Sequence, residues 1–310
     1  MSDFEPFYDV KHSYEDNYEQ GPFGAFAEAL KATPSVTSGD SSPYEGEPGK
    51  KTSAGAEEKP EEKTAVGAEG EPAGSTFLGQ PVNLPFGIPA GPLLNSRFTT
   101  AAFRMGFDLA TYKTVRSRAW GCNPFPNVLA VHPKSADGSL TPGSAELDEG
   151  VLADTDYEQP ISISNSFGVP SQSPDVWQPD MRAAIAAAGL GQVLVPSFQG
   201  SRVEGMSEEE YIADHATTAR LIKETGAKLM VMNTSCPNEG HNRLLCHNPL
   251  LVGRITEAVK NEIGDIPLMV KLAYIPSDDD LELMVRSTVG HGTVQGFSTI
   301  NTISAKLVDA

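Results

Sequence analysis

Six short runs of mainly apolar residues alternate with helical stretches after residue 76, and this alternation restricts the fold more than any other feature of the sequence. Runs of four or five such residues have the length of buried strands. A repeated order of strand, helix and strand is typical of parallel strands joined by right-handed crossovers. The runs span residues 86–90, 109–112, 193–196, 228–232, 267–270 and 296–300. The predicted helices span residues 99–105, 179–188, 208–225, 250–263 and 279–289.

A small, polar or cationic residue lies at the end of each of these runs. The residues concerned are Ala90-Gly91, Lys113-Thr114, Ser197, Asn233, Lys271 and Asn301-Thr302. In a (β/α)8 barrel the carboxyl ends of the strands form the floor of the active site. In a doubly wound sheet only the strand ends near the switch point face the ligand. Six consecutive ends of this kind favour an α/β fold of the TIM-barrel type, with about six of its eight strands present.

Two local patterns refine this prediction. Residues 116–192 separate the second and third runs by more than one crossover, and they contain a predicted strand at 161–164. We therefore expect an excursion inserted after the second barrel strand. The longest predicted helix begins with Ser207 followed by Glu210, which is the pattern of a capping box.

The first 75 residues differ from this domain, which spans residues 76–310. Residues 1–30 are crowded with Phe and Tyr, so we expect an N-terminal aromatic arm that docks on the main domain, the alternative being a poorly ordered tail. Residues 31–75 are rich in Pro, Gly, Ser, Glu and Lys. Such a composition buries too little apolar surface to offset its chain entropy, so it predicts a disordered acidic linker.

The charge and the cysteines restrict partners and compartment. A formal net charge of −18 argues against nucleic acid as a partner, because phosphate contacts need clustered Lys and Arg. No apolar run has the length of a membrane span, and the first residues lack the pattern of a secretion signal. Three cysteines without disulfide-framework spacing fit a reducing compartment, so we expect a cytoplasmic protein.

The segment Asn233-Thr234-Ser235-Cys236-Pro237-Asn238 directly follows the fourth run. Its two asparagine amides can read the carbonyls and N–H groups of a heterocyclic ring. Its thiol can act as a general base if its surroundings lower its pKa. The segment is equally consistent with a polar turn that holds a buried structural cysteine.

This segment resembles the N-x-S-C-P-N signature of the dihydroorotate dehydrogenases, and the flavin domain of dihydropyrimidine dehydrogenases carries a close variant. Other segments agree in the same order along residues 77–305. They are Phe86-Gly87-Ile88-Pro89-Ala90-Gly91, Tyr112-Lys113-Thr114-Val115, Gly121-Cys122-Asn123-Pro124-Phe125-Pro126, Ser164-Asn165-Ser166-Phe167-Gly168-Val169-Pro170, Val270-Lys271-Leu272 and Ile300-Asn301-Thr302-Ile303. The chain thus resembles the soluble class of the family, in which the catalytic base is a cysteine.

The resemblance implies a role for each matching residue. Flavin mononucleotide (FMN) would contact Ala90, Gly91, Lys113, Thr114, Asn165, Asn233, Lys271 and Asn301. Dihydroorotate would be bound by Lys113, Asn165, Asn233, Asn238, Asn301 and Thr302. Cys236 would be the base that takes a proton from the substrate while a hydride passes to the flavin, so that dihydroorotate becomes orotate. The electron acceptor and the oligomeric state stay open, although a homodimer fits the resemblance.

Three alternatives accompany this interpretation. A zinc site of Cys236, His241, Cys246 and His247 has no common ligand spacing, so we expect no metal. The substrate could instead be a dihydropyrimidine without a carboxylate. The sequence ends soon after the sixth strand, whereas a barrel closes with eight and binds the flavin phosphate after strands seven and eight. On this ground we expect a fragment of a longer enzyme, and a truncated barrel unable to hold FMN is the third alternative.

Overall fold

The computed structural model describes residues 6–31, 74–135, 138–157, 162–235 and 244–309. The predicted linker therefore lies almost entirely outside the described residues. The helices are α1 Tyr14–Gln20, α2 Gly24–Lys31, α3 Ser96–Arg104, α4 Ala145–Glu149, α5 Pro174–Ala186, α6 Glu208–Lys223, α7 Pro249–Ile263 and α8 Asp278–Ser287. The strands are β1 Ser75–Phe77, β2 Gln80–Val82, β3 Gly87–Ile88, β4 Leu109–Val115, β5 Ala130–His132, β6 Val151–Asp154, β7 Ser162–Ile163, β8 Val193–Phe198, β9 Met230–Asn233, β10 Leu268–Lys271, β11 Gly296–Ser298 and β12 Leu307–Asp309.

The six predicted runs form one parallel sheet in the order β3-β4-β8-β9-β10-β11. The spatial order follows the chain order without the reversal of a doubly wound sheet, as expected for a TIM barrel. The sheet is also curled. Four strand spacings of about 4.8 Å would hold β3 and β10 about 19 Å apart in a flat sheet, yet Lys271 Nζ on β10 lies 3.3 Å from Ala90 O, just past β3. The prediction of consecutive strands of an α/β barrel is confirmed.

The five predicted helices are present as α3, α5, α6, α7 and α8. The capping box is confirmed, because Ser207 Oγ accepts a hydrogen bond from Glu210 N while the Glu210 carboxylate accepts one from Ser207 N. Helix α5 begins at Pro174 rather than at Pro179, since Pro174 already supplies the favoured proline of a first turn. None of the helices in the described residues is both long and apolar enough to cross a lipid bilayer.

The excursion between β4 and β8 contributes β5, β6 and β7 to a second sheet, whose order is β12-β6-β5-β7. The strand predicted at 161–164 is present as β7, but the other two strands of the excursion, β5 and β6, were not predicted, because runs of three or four residues are too short to show a period. Strand β12, which follows the last barrel strand, pairs in parallel with β6. The segment between β11 and β12 therefore joins the two sheets.

The N-terminal arm packs on helix α3. Tyr14 and Phe26 are buried in the main core beside Phe98 of α3, and Phe7 stacks on Phe26 with ring centroids 4.3 Å apart. Hydrogen bonds reinforce this contact, since Arg97 Nη2 donates to the carbonyl oxygens of residues 18 and 19 at 2.6 and 2.7 Å. The arm is thus part of the hydrophobic core in the described residues.

Helix α6 carries a histidine that is enclosed on all sides. His215 has no exposed surface, its Nδ1 lies 3.0 Å from Tyr211 O, and the Tyr211 ring packs against it with centroids 4.6 Å apart. Burial lowers the pKa of His215 to about 4; the Arg116 charge adds to this shift, and Tyr211 O and the Asp214 carboxylate oppose it. His215 is therefore neutral in the folded protein at physiological pH.

Truncation of the arm's anchor should destabilise the whole domain. Phe26→Ala removes a ring that is 7% exposed, so we expect the free energy of unfolding to fall by about 3 kcal/mol in urea denaturation. The matched control is Phe125→Ala, whose ring is 51% exposed and should cost less than about 0.5 kcal/mol. Equal small losses for both variants would contradict the packing of the arm.

The buried histidine should make folding sensitive to acid. In the unfolded chain His215 gains a proton below about pH 6.5, whereas the folded protein resists protonation until about pH 4. The unfolded state binds more protons between these values, so stability is full above pH 6.5 and falls by about 3 kcal/mol as the pH drops to 4. Denaturation curves at several pH values should show this loss in the wild type and not in His215→Leu. The control His291→Leu, at an exposed position, should keep the wild-type pH dependence.

Candidate active site

A cavity of about 340 Å³ lies on the concave face of the parallel sheet. Its walls are inward-facing side chains of successive strands, among them Leu109, Thr111, Val195, Val231, Met269 and Phe297. Its rim includes Ala90 and Lys271, which belong to the carboxyl ends of β3 and β10. The predicted strand ends thus surround one apolar space with a cation at its edge.

Lys271 is the cation at this rim. Its Nζ donates to Ala90 O at 3.3 Å, and burial lowers the pKa of its ammonium below the usual value. In the register of β9 and β10, Lys271 lies directly beside Asn233. The structure therefore brings together three predicted site residues from β3, β9 and β10.

The turn after β9 is held on both sides. One end of the Asn233 amide lies 2.8 Å from Ser235 Oγ and 3.3 Å from Ser235 N. Thr234 Oγ1 donates to Lys271 O at 2.8 Å, and Asn301 Nδ2 donates to Ser235 O at 3.2 Å. Cys236 and Asn238 lie outside the described residues. The predicted base thus follows directly on a residue whose backbone and side chain are both fixed.

Two buried residues behind this turn were missed by the sequence analysis. The Gln199 amide lies 2.7 Å from the other end of the Asn233 amide and 2.6 Å from Arg116 Nη2. The third predicted run ends at residue 196, but β8 continues to Phe198. Had the predicted run included Phe198, which is apolar, Gln199 would have been placed at the end of the strand.

Lys113 and Thr114 lie at the end of β4, where both are buried. The hydroxyl of Thr114 lies 2.8 Å from that of Ser197 on β8, so these two predicted strand-end residues meet. Burial, together with the charge of Glu15, raises the pKa of Cys122 to about 11 against an opposing effect of Lys113. The Cys122 thiol is therefore protonated at neutral pH, as suits a structural cysteine.

Asn165 and Thr302 are exposed and, in the described part of the chain, form no hydrogen bond to another predicted site residue. The loop of Asn165 is nevertheless anchored, because Phe167 packs edge-on against Tyr8 and Tyr14 of the arm with centroids 5.8 and 6.1 Å apart. The loop that carries Asn165, a predicted substrate-binding residue, thus lies next to the N-terminal arm.

Gly91 continues from Ala90 at the rim. Its φ of +142° lies in the region that side chains disfavour, and no atom lies within 4 Å of the position that a Cβ would occupy. The backbone is thus bare on the side where a planar ring could approach. An apolar cavity, a bare backbone and a rim ammonium together fit a flat heteroaromatic ring with a negatively polarised edge.

Of the residues considered for zinc, two are described and they do not form a site. Cys246 is buried, and burial raises the pKa of its thiol. His247 Nε2 lies 3.1 Å from Tyr274 O. Across the described ranges no group of three or more metal-binding side chains is found.

Comparisons with known proteins agree with this geometry. The chain is 32% identical over 312 residues to a dihydroorotate dehydrogenase of Dictyostelium discoideum, covering 98% of this chain and 73% of that protein. It is 30% identical to the catalytic subunit of dihydroorotate dehydrogenase B (NAD(+)) of Enterococcus faecalis, over 59% of this chain and 51% of the relative. No family model matches the chain.

Solved structures show the same fold. Ligand-free DHODH from Eimeria tenella superposes with a TM-score of 0.51 at 17% identity, covering 72% of this chain. The complex of the Eimeria enzyme with ferulenol gives 0.52 at the same identity. The chain spans 60% and 58% of the lengths of these two structures. Because the chain is 32% identical to the Dictyostelium relative over 98% of its own length and 73% of the relative's, it belongs to the dihydroorotate dehydrogenase family.

Proposed function

We propose that this chain is an FMN-dependent oxidoreductase that converts dihydroorotate to orotate. The observation that carries the proposal is the convergence of Lys271, the Asn233 turn and the bare Ala90–Gly91 backbone at one end of the curled sheet. A cation, a paired donor and acceptor, and an apolar wall are what a flavin beside a pyrimidine ring requires.

FMN fits the residues present at the rim. The ring would lie along Ala90 and Gly91, with Lys271 at its edge and the amides of Asn165, Asn233 and Asn301 around it; Lys113 and Thr114 come from the end of β4. When bound, FMN supplies the acceptor for the hydride. The ammonium of Lys271 favours negative charge at the ring edge, because its own burial leaves that charge poorly screened by water.

The asparagines would orient the substrate. An amide offers both a donor and an acceptor, as does each amide unit of the dihydroorotate ring. Asn165, Asn233, Asn238, Asn301 and Thr302 would bind the ring and its carboxylate, with Lys113 as the cation that balances the carboxylate charge. Since Lys113 is buried, water screens its attraction for the carboxylate poorly.

Cys236 would remove the proton. The ring carbon next to a carbonyl is acidified by that carbonyl, so a thiolate of moderate basicity suffices. The proton passes to Cys236 Sγ, a hydride leaves the adjacent carbon, and a carbon–carbon double bond forms between them. Ser235, the residue before Cys236, supports this role because its carbonyl oxygen is held by a hydrogen bond from Asn301 Nδ2.

The first test is a visible absorption spectrum under anaerobic conditions. Full-length protein supplied with FMN should retain a flavin band that dihydroorotate bleaches, because hydride transfer reduces the ring. Dihydrouracil, which lacks the carboxylate, is the matched control and should bleach it much more slowly. Bleaching by dihydrouracil and not by dihydroorotate would assign the substrate to the dihydropyrimidines without a carboxylate. A chain that retains no flavin would contradict the proposed activity and favour the truncated barrel that cannot hold FMN.

The second test concerns the base. Cys236→Ala should lower the rate of flavin reduction by dihydroorotate about 100-fold or more in stopped-flow measurements, because general-base catalysis is lost. The flavin content should not change. Cys122→Ala, which removes the thiol near Lys113, should reduce at the wild-type rate. Unaltered reduction by Cys236→Ala at neutral pH would exclude the cysteine as base.

A further inference from the structure

Behind the turn of the proposed site, three polar side chains form a buried row. Arg116, Gln199 and Asn233 are 2%, 1% and 7% exposed. Arg116 is fixed by its own bonds, since Nε donates to Val169 O at 3.0 Å and Nη1 donates to Gly200 O at 2.9 Å. Its guanidinium also lies 4.5 Å above the centre of the Trp120 ring. Arg116 is thus an immobile cation at one end of the row.

The Gln199 amide lies between this cation and Asn233. Its two ends are 2.6 Å from Arg116 Nη2 and 2.7 Å from the Asn233 amide. The side chain has one oxygen and one NH2 group, so one end accepts and the other donates. A guanidinium can only donate. The orientation of Gln199 therefore depends on whether its oxygen serves Arg116 or Asn233.

The charge decides between the two orientations. A hydrogen bond from a cation is roughly twice as strong as one between neutral groups, and at a buried site the opposite arrangement would press an NH2 group against the guanidinium. With its oxygen on Arg116, Gln199 presents its NH2 group to Asn233. Asn233 must then turn its own oxygen toward Gln199 and its NH2 group toward Ser235 Oγ, which can accept at 2.8 Å. Because the row has a donor at each end, one contact between two donors is unavoidable, and this orientation places it at Ser235 N, 3.3 Å from the amide and the longest contact of the row.

We propose that Arg116, acting through Gln199, fixes Asn233 with its NH2 group beside Ser235, so that Asn233 recognises a hydrogen-bond acceptor on the ligand, such as a ring-carbonyl or carboxylate oxygen. Arg116 and Gln199 are positioning residues, because they act on the ligand only through Asn233. This inference rests on the proposed function for the placement of a ligand at Asn233. The order of charges and amides along the row is independent of that placement.

Gln199→Glu tests the orientation. The carboxylate keeps the shape of the amide and its bond to Arg116, but it offers an oxygen to Asn233 as well. Asn233 must then turn its NH2 group away from Ser235, and we expect the dissociation constant for orotate, read from the perturbed flavin spectrum, to rise about tenfold or more. The melting temperature should stay at its wild-type value, and the orotate affinities are compared at equal FMN occupancy because Asn233 also borders the proposed flavin site. Gln80→Glu in β2 is the matched control for the change of charge. An unchanged orotate affinity in Gln199→Glu would overturn the proposal.

A second measurement needs neither flavin nor substrate. In protein labelled with ¹⁵N on asparagine side chains, the Asn233 NH2 resonance is identified by its loss in Asn233→Asp. It should move more in Ser235→Ala than in Gln199→Met, because its partner is Ser235 Oγ. A larger change in Gln199→Met would overturn the orientation. Failure of the wild type to bind FMN or orotate would instead count against the proposed function, and the resonance test would still decide the orientation.

Discussion

The parallel pairing of β9 with β10 places Asn233 beside Lys271, and the geometry of the site depends on that register. Successive residues of a strand point to opposite faces, so a slip of one residue would turn Lys271 away from Ala90 and move the apolar wall to the outer face. The register is specified because both faces of these strands are covered: Met230 and Met232 pack into the main core, while Leu229 and Val231 pack into a separate apolar cluster. Burial on both faces therefore sets the position of the polar residues at the strand ends.

The sequence predicted the barrel well for a physical reason. Each buried parallel strand must be apolar and each crossover helix must have one apolar face, so both leave a readable pattern. The strand-end residues Ala90, Lys271 and Asn233 follow from the same pattern, since parallel strands end at one side of the sheet. Helices α1 and α2 left no comparable pattern in the sequence. Helix α1 is buried by its contacts with α3, and the residues of α3 lie far along the chain from it.

The contact of Arg116 with Gln199 and Asn233 was beyond prediction for a different reason. These three residues lie at the ends of β4, β8 and β9, and nothing in the local sequence of Arg116 indicates that it will be buried, since arginine is usually exposed. Only the fold reveals that its bonds to Val169 O and Gly200 O can satisfy the guanidinium inside the protein. Cys236 is the reverse case, since its motif is the clearest signal in the sequence and its position lies outside the described residues.

The segment that joins the two sheets has a consequence for how tightly a ligand can be held. β11 fixes one end of residues 299–306 in the barrel sheet, and β12 fixes the other end against β6. Between them Asn301 N donates to Leu272 O and Lys306 N donates to Leu147 O, each at 2.9 Å. A loop clamped at both ends has already lost most of its conformational freedom before any ligand arrives. The conformational entropy of Asn301 is therefore lost when the protein folds and not when a ligand binds. This preorganisation lets a small, rigid molecule bind firmly through few contacts.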